Sequence, residues 1–154
     1  MNVLILSAGG PAGYGVIKSL KDMDFNGKIV SVDMSDKYYV VPPVSDNDFI
    51  SSIYKIVQKE KIDLILPTGP DIEPISKNAH LFENKLFMSD YESIMDCTDK
   101  WRFYNKCKDK LPLPKTFKGS KLFKKPIIGS GSRGCELIEF NSDEILSEYL
   151  PGQE

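Results

Sequence analysis

The sequence predicts an α/β protein in which a parallel-sheet domain is followed by a smaller, incomplete α+β piece. Three observations carry this. Short apolar runs alternate with helical apolar stripes through the first ninety residues, the pattern of βαβ units. Small residues and acids cluster where the strands should end. After Asp90 the alternation gives way to a proline-rich connection and hairpin-like pieces around a Gly/Ser tip. The expected domains are 1–90 and 91–154.

Val3 to Leu6 is a continuous apolar run, as a strand buried on both faces requires. The small-residue stretch Ser7 to Gly15 follows, and Val16, Ile17 and Leu20 then fall at helical spacing, with an end expected between Asp24 and Gly27. Lys28 to Asp33 reads as a second strand ending in an acid. Ser45, with Asp48 three residues on, is expected to cap a helix whose stripe is Phe49, Ile50, Ile53, Ile56 and Val57. Asp63 to Pro67 is the next strand, Asp71 to Phe82 a helix with Pro74 in its first turn, and Leu86 to Met88 a short fourth strand. Right-handed crossovers would bring Gly9 to Gly15, Asp33 and Thr68 to Asp71 to one edge of a Rossmann-like sheet, where open α/β sheets bind ligands. Tyr38 and Tyr39 could line the same edge or form a surface aromatic pair.

Beyond Asp90, Thr98 is expected to cap a helix carrying Trp101, Tyr104 and Cys107 on one face. Leu111 to Pro114 is a linker, and Lys115 to Phe117, Leu122 to Lys125 and Cys135 to Phe140 read as short strands. The last two flank Gly129-Ser130-Gly131-Ser132-Arg133-Gly134, and Ser142 to Leu146 reads as a short helix.

Composition removes several functions. Of 154 residues 20 are basic and 22 acidic, so a net charge of −2 gives no footprint for nucleic acid or an anionic membrane. No apolar run approaches the roughly 20 residues a membrane span needs, and the N-terminus has no signal-peptide pattern. Three cysteines without a C-x-x-C pair fit a reducing cytoplasm. A single histidine, His80, rules out a multi-histidine metal site and reads as a solvated or capping side chain.

Glycines 9, 10, 13 and 15 do not form G-x-G-x-x-G, because Ala12 occupies the position where a motif starting at Gly10 needs its second glycine. The stretch therefore reads as a tight strand-to-helix turn or as the edge of a small-molecule site. Lys125-Pro126 followed by Gly129 to Gly134 is a better anion site. Glycines let backbone N–H groups converge into a nest, Lys125 adds a point charge, and Arg133 adds a planar donor. Standing alone, such a tip is more often a plain turn. Asp71 and Glu73 could meet a substrate amino group, or could serve the N-terminus of their own helix.

Asp99-Lys100, Leu113-Pro114-Lys115-Thr116, Lys124-Lys125-Pro126, Gly129 to Gly134 and Glu148-Tyr149-Leu150-Pro151-Gly152-Gln153-Glu154 resemble, in order and spacing, the ATP-grasp ligases. Asn2 to Gly9 and Asp63 to Thr68 resemble the domain that precedes ATP-grasp in that superfamily, most closely in proteins like the carbamoyl phosphate synthase large subunit and related carboxylate–amine ligases. The resemblance implies a pre-ATP-grasp domain and the first subdomain of an ATP-grasp unit, ending at the adenine hinge. It implies that Lys100 and Lys125 contact ATP and that Gly129, Ser130, Gly131, Ser132, Arg133 and Gly134 close over the phosphates. It also implies that Glu148, Tyr149 and Leu150 read the adenine edge and that Glu154 accepts from ribose hydroxyls. Substrate candidates are Gly9, Gly10, Asp33, Thr68, Asp71 and Glu73. ATP and magnesium are the implied cofactors, with the metal ligands and catalytic groups expected beyond residue 154. The implied reaction activates a carboxylate as an acyl-phosphate for attack by an amine, and these residues alone are expected to be inactive. A non-catalytic nucleotide- or metabolite-binding module, or a split subunit, is the alternative. A homodimer is a further expectation.

Overall fold

The computed structural model describes residues 1–35, 38–114, 122–125, 135–137 and 145–148. The chain divides into two compact units, Met1–Tyr91 and Glu92–Glu154.

The first unit is built on a four-stranded parallel sheet of order β3-β2-β1-β4, with β1 at Asn2–Ile5, β2 at Lys28–Asp33, β3 at Tyr39–Val40 and β4 at Leu64–Leu66. Alternate residues of β1 serve opposite faces. Leu4 and Leu6 join Val30, Val32, Ile65 and helix α2 (Phe49–Lys59) on one side. Val3 and Ile5 meet Val16, Ile17 and Leu20 of helix α1 (Pro11–Asp22) on the other. Burial on both faces is why this strand reads as an unbroken apolar run.

Helix α1 begins inside the small-residue stretch, five residues before the expected apolar stripe. Gly10 is its extended N-cap and Pro11 its first residue, where a missing N–H costs nothing. Helices α1 and α2 end alike. After α1 the N–H groups of Asp24 and Phe25 donate to the carbonyls of Lys21 and Leu20, and after α2 those of Lys61 and Ile62 donate to Gln58 and Val57. Both are Schellman closures. The left-handed position usually held by glycine is taken by Asp24 (φ 51°) and Lys61 (φ 48°).

Three expectations are corrected here. Ser45 does not cap α2: Asp48 precedes the helix in helical conformation without a side-chain cap, and Asp46 accepts from the Asp48 N–H instead. The Asp71–Phe82 helix is only α3 at Ile72–Lys77, followed by two 3₁₀ turns at Ala79–Leu81 and Glu83–Lys85. Pro74 does lie in its first turn. Leu86–Met88 is reduced to one parallel bridge, Leu86 to Ile65. Strand β3 had no counterpart in the sequence reading. It adds two rungs beside the end of β2 and is tied down by Tyr39, whose hydroxyl donates to Glu60 at 2.5 Å. Glu60 also pairs with Lys28, and Lys59 lies 5.2 Å over the Tyr39 ring.

The second unit contains α4 (Tyr91–Thr98), which starts at the unit boundary, and α5 (Lys100–Cys107). Thr98 ends α4, its hydroxyl donating to the Ile94 carbonyl, and so it caps nothing. Asp99 is the cap of α5, accepting from the N–H groups of Trp101 and Arg102 at 2.9 and 3.0 Å. Arg102 bonds Glu92 and Asp96 at 2.7 and 2.9 Å, and Lys106 pairs with Asp96, stapling the two helices. The Lys106 ammonium, with Arg102, holds the Asp96 carboxyl below the usual carboxylate range. Trp101 stacks on Tyr104 at 5.8 Å between centroids. An antiparallel sheet of order β6-β5-β7 joins Leu122–Lys125, Glu136–Leu137 and Ile145–Glu148. The expected hairpin pairing of the first two is present. The helix expected over Ser142–Leu146 is not: Ile145 and Leu146 belong to β7, which satisfies the second edge of β5.

Candidate functional site at the sheet edge

The strand order places β1 at the switch point of the first sheet. From it the chain crosses to β2 on one side and later returns to β4 on the other, opening a crevice beyond the strand ends. The backbone that leaves β1 is strained there. Ser7 has φ 48°, an uncommon conformation for a residue with a side chain, and such strain concentrates at functional edges.

The surroundings hold Ser7 in place. Its Oγ donates to Asp71 Oδ1 at 2.5 Å, and its carbonyl accepts from the Gly10 N–H at 3.0 Å. Thr68 Oγ1 donates to the Leu6 carbonyl at 2.6 Å, closing the gap between β1 and the loop after β4. Gly69 is required by proximity, since a Cβ there would stand 2.7 Å from both Ser7 Cβ and Oγ. Across β1, Asp33 accepts from the Gly9 N–H at 2.9 Å and the Met34 N–H at 2.8 Å, locking the start of the glycine turn to the end of β2.

Between these groups lies a cavity of about 160 Å³. Its floor is Leu6, Ser7 and Asp71, and its walls include Val32, Val41 and Phe49. Asp71 is 1% exposed, and its Oδ2 has no hydrogen-bond partner among the described residues. Burial pushes its carboxyl above the usual carboxylate range, opposed by the Ser7 hydroxyl and by backbone N–H groups of Asp71, Gly69 and Thr68.

Of the six substrate candidates, the structure joins Gly9 to Asp33 and places Asp33 and Asp71 on one cavity. Thr68 braces the edge, and Gly10 caps α1. Glu73 sits half-buried in the first turn of α3 and does not line the cavity. Ser7 and the wall formed by Val41, Pro42, Pro43 and Val44 were not singled out from the sequence. The Pro42-Pro43 pair after Tyr39-Val40 was the available signal of an ordered wall.

In the second unit, Lys100 opens α5 directly after its Asp99 cap and is half-buried. Lys125 ends β5, half-buried, and Glu148 ends β7. Their ladder partners are Ile145 and Leu122, so they stand three rungs apart, about 10 Å along the ladder. Gly129, Ser130, Gly131, Ser132, Arg133, Gly134, Tyr149, Leu150 and Glu154 lie outside the described residues. Among the described residues no three His, Cys, Asp or Glu side chains are placed to hold a metal ion, and no helix is long and apolar enough to cross a membrane.

The model of the PylC-like N-terminal domain matches residues 3–86, more than half of the chain. The chain belongs to this family. The PylC-like domain therefore coincides with the parallel-sheet unit and its switch-point cavity. A tyramine–L-glutamate ligase of Methanocaldococcus fervens is 25% identical over 159 residues, spanning 97% of this chain and 54% of the relative. The crystal structure of an L-amino acid ligase from Bacillus licheniformis superimposes on 98% of the chain with a TM-score of 0.68 and 12% identity, covering 44% of that protein. The chain thus spans about half the length of the curated relative it matches. The kinship read from the motifs is shown: the chain corresponds to the N-terminal part of ATP-grasp carboxylate–amine ligases.

The Asp71 shift has a measurable consequence for the PylC-like domain. The native state holds a proton that the unfolded chain releases, so this group's contribution to stability falls as pH rises from the ordinary carboxylate range through the raised native value. In urea titrations across that window, Asp71→Asn should gain stability relative to the wild type as pH rises. Parallel pH profiles for the two proteins would refute the assignment.

Proposed function

We propose that these residues form the N-terminal part of an ATP-dependent ligase that activates a small carboxylate as an acyl-phosphate for attack by an amine. The observation that carries this is the agreement of the family match over 3–86 with an alignment to a ligase running through 97% of the chain. In this reading the sheet edge of the PylC-like domain, with Gly9, Gly10, Asp33, Thr68, Asp71 and Glu73, holds substrate.

The second unit supplies cations and donors to the nucleotide. Lys100, set by its Asp99 cap, and Lys125, set by a strand paired on both sides, meet phosphate oxygens. Gly129 to Gly134 offers backbone N–H groups and the Arg133 fork, Glu148 to Leu150 reads the adenine edge, and Glu154 accepts from ribose. Bound Mg-ATP supplies the phosphoryl group and neutralises its developing charge. Its metal ligands belong to a part of the ligase beyond the adenine hinge, in the arrangement expected of a carbamoyl phosphate synthase-like protein. Three thiols without a disulfide among the described residues support a cytoplasmic setting.

Two measurements test this. Residues 1–154 alone should show no amine-dependent ADP release from Mg-ATP, and measurable release would overturn that part of the reading. In the natural gene product, Lys125→Ala should weaken Mg-ATP binding about 10- to 100-fold by calorimetry, since a hydrogen bond to a charged group contributes about 1.5–3 kcal/mol. Unchanged affinity would remove Lys125 from the nucleotide site.

A further inference from the structure

We propose that the switch-point cavity of the PylC-like domain takes one uncharged, hydroxyl-bearing ring of a small-molecule substrate, seated on apolar walls with its hydroxyl against the Ser7–Asp71 pair. The inference rests on the reading that this edge faces substrate, and it names the chemical class the edge accepts.

Size sets the first limit. A cavity of about 160 Å³ matches one benzene-sized ring: an engineered apolar cavity of about 150 Å³ stays dry and binds benzene. Nine of the twelve lining residues are apolar, and Leu6, Val32, Val41 and Phe49 among them are buried parts of the main core. These walls are therefore preformed and do not need to collapse around a ligand.

Charge sets the second limit. Among the described residues no lysine or arginine lines the cavity, and its ionisable members are Asp33 and Asp71. A carboxylate or phosphate would face two acids with no compensating cation among the described residues. An ammonium would exchange its water for apolar walls, while Asp33 is already engaged by two backbone N–H groups and Asp71 Oδ1 by the Ser7 hydroxyl. A neutral hydroxyl avoids both costs. It can donate and accept, and the Ser7 Oγ on this floor, which donates to Asp71 Oδ1, has lone pairs to accept from it. Ser7, held at φ 48° by Gly69, Asp71 and the Gly10 N–H, keeps this pair in fixed geometry before any ligand arrives.

The test uses residues 1–154, with phenol, toluene, benzylamine and benzoate as probes and side-chain methyl NMR as the readout. Millimolar phenol should shift the methyl signals of Val32, Val41 and Val44. Benzylamine and benzoate should bind at least about tenfold more weakly than phenol, and toluene should fall between them. Val41→Phe, which fills the cavity, should abolish the phenol shifts while the circular dichroism stays native. Val44→Phe, at the exposed rim, gives the same test should the core variant fail to fold. Tighter binding of either charged probe, or phenol shifts absent from the three valines, overturns the proposal. Phenol binding needs no nucleotide, so its failure leaves the ligase reading intact. Normal phenol binding alongside a natural gene product that releases no ADP would instead overturn the ligase reading alone.

Discussion

Gly13→Ala should destabilise the parallel-sheet unit by about 1–2 kcal/mol net, whereas Gly15→Ala, two residues along the same helix, should leave it slightly more stable. A Cβ at Gly13 would stand 2.5 Å from the Ser7 carbonyl oxygen, 2.7 Å from Ala8 Cα and 2.9 Å from Thr68 Oγ1. Two of those neighbours are backbone, so the helix and the strand end must separate. Overpacking of this kind costs about 1–3 kcal/mol and sometimes more, against a gain of about 1 kcal/mol from replacing a helical glycine. At Gly15 nothing lies within 4 Å, and only the gain remains. Chemical denaturation of the two variants would read opposite signs. Stabilisation of both by the same amount would show that helix propensity, and not close approach to Ser7, decides the outcome.

The same contact couples packing to the site. Ser7 and Thr68 are the residues Gly13 leans on, and they in turn hold Asp71 and the Leu6 carbonyl. A small displacement of α1 therefore reaches the cavity floor through two hydrogen bonds. Gly13→Ala should weaken phenol binding even under conditions where the variant remains folded.

The centre of the sheet was legible because β1 is buried on both faces and β4 is buried at its middle. Leu4, Ile5, Val30 and Ile65 leave no polar alternation to confuse the reading, and each run ends in a residue the turn needs. The edge was legible at Gly9, Asp33 and Asp71 because topology alone carries strand ends to one side. Ser7 was not, because a serine in a small-residue stretch gives no sign that its backbone is left-handed or that its hydroxyl meets a residue 64 positions away. Strand β3 was hidden by its length: two residues carry no periodicity, and its anchors, Glu60 and Lys59, come from the far end of a later helix. The Ser142–Leu146 segment has good helix-start chemistry, yet pairing with β5 decided the structure of Ile145 and Leu146, as tertiary context can override local preference. Asp99 displaced Thr98 as the cap of α5 because the preceding helix runs through Thr98 and leaves Asp99 as the first residue in extended conformation.

Ile65→Ala should be the most costly of the substitutions considered, at about 3 kcal/mol or more. Ile65 is fully buried at the middle of β4, opposite Leu4 in the ladder and bridged to Leu86 on its other side. Burial of this kind makes isoleucine-to-alanine changes cost about 2–5 kcal/mol, the upper range applying where neighbours cannot close the void. Here they cannot close it easily, since the backbones of β1 and of the Leu86 segment are fixed by hydrogen bonds on both sides. Ile65→Val, which keeps the strand-favouring branch, should cost only about 0.5–1.5 kcal/mol. The damage should also be local before it is global. The loop that carries Thr68, Gly69 and Asp71 hangs directly from β4, so loosening the strand frees the Ser7–Asp71 pair first. Native-state hydrogen exchange in Ile65→Ala should therefore show faster exchange at Leu6 and Phe87, whose N–H groups donate to the Leu66 and Ile65 carbonyls, well before exchange rises in α1. Uniform acceleration across the unit would show instead that the sheet edge opens only when the whole unit unfolds.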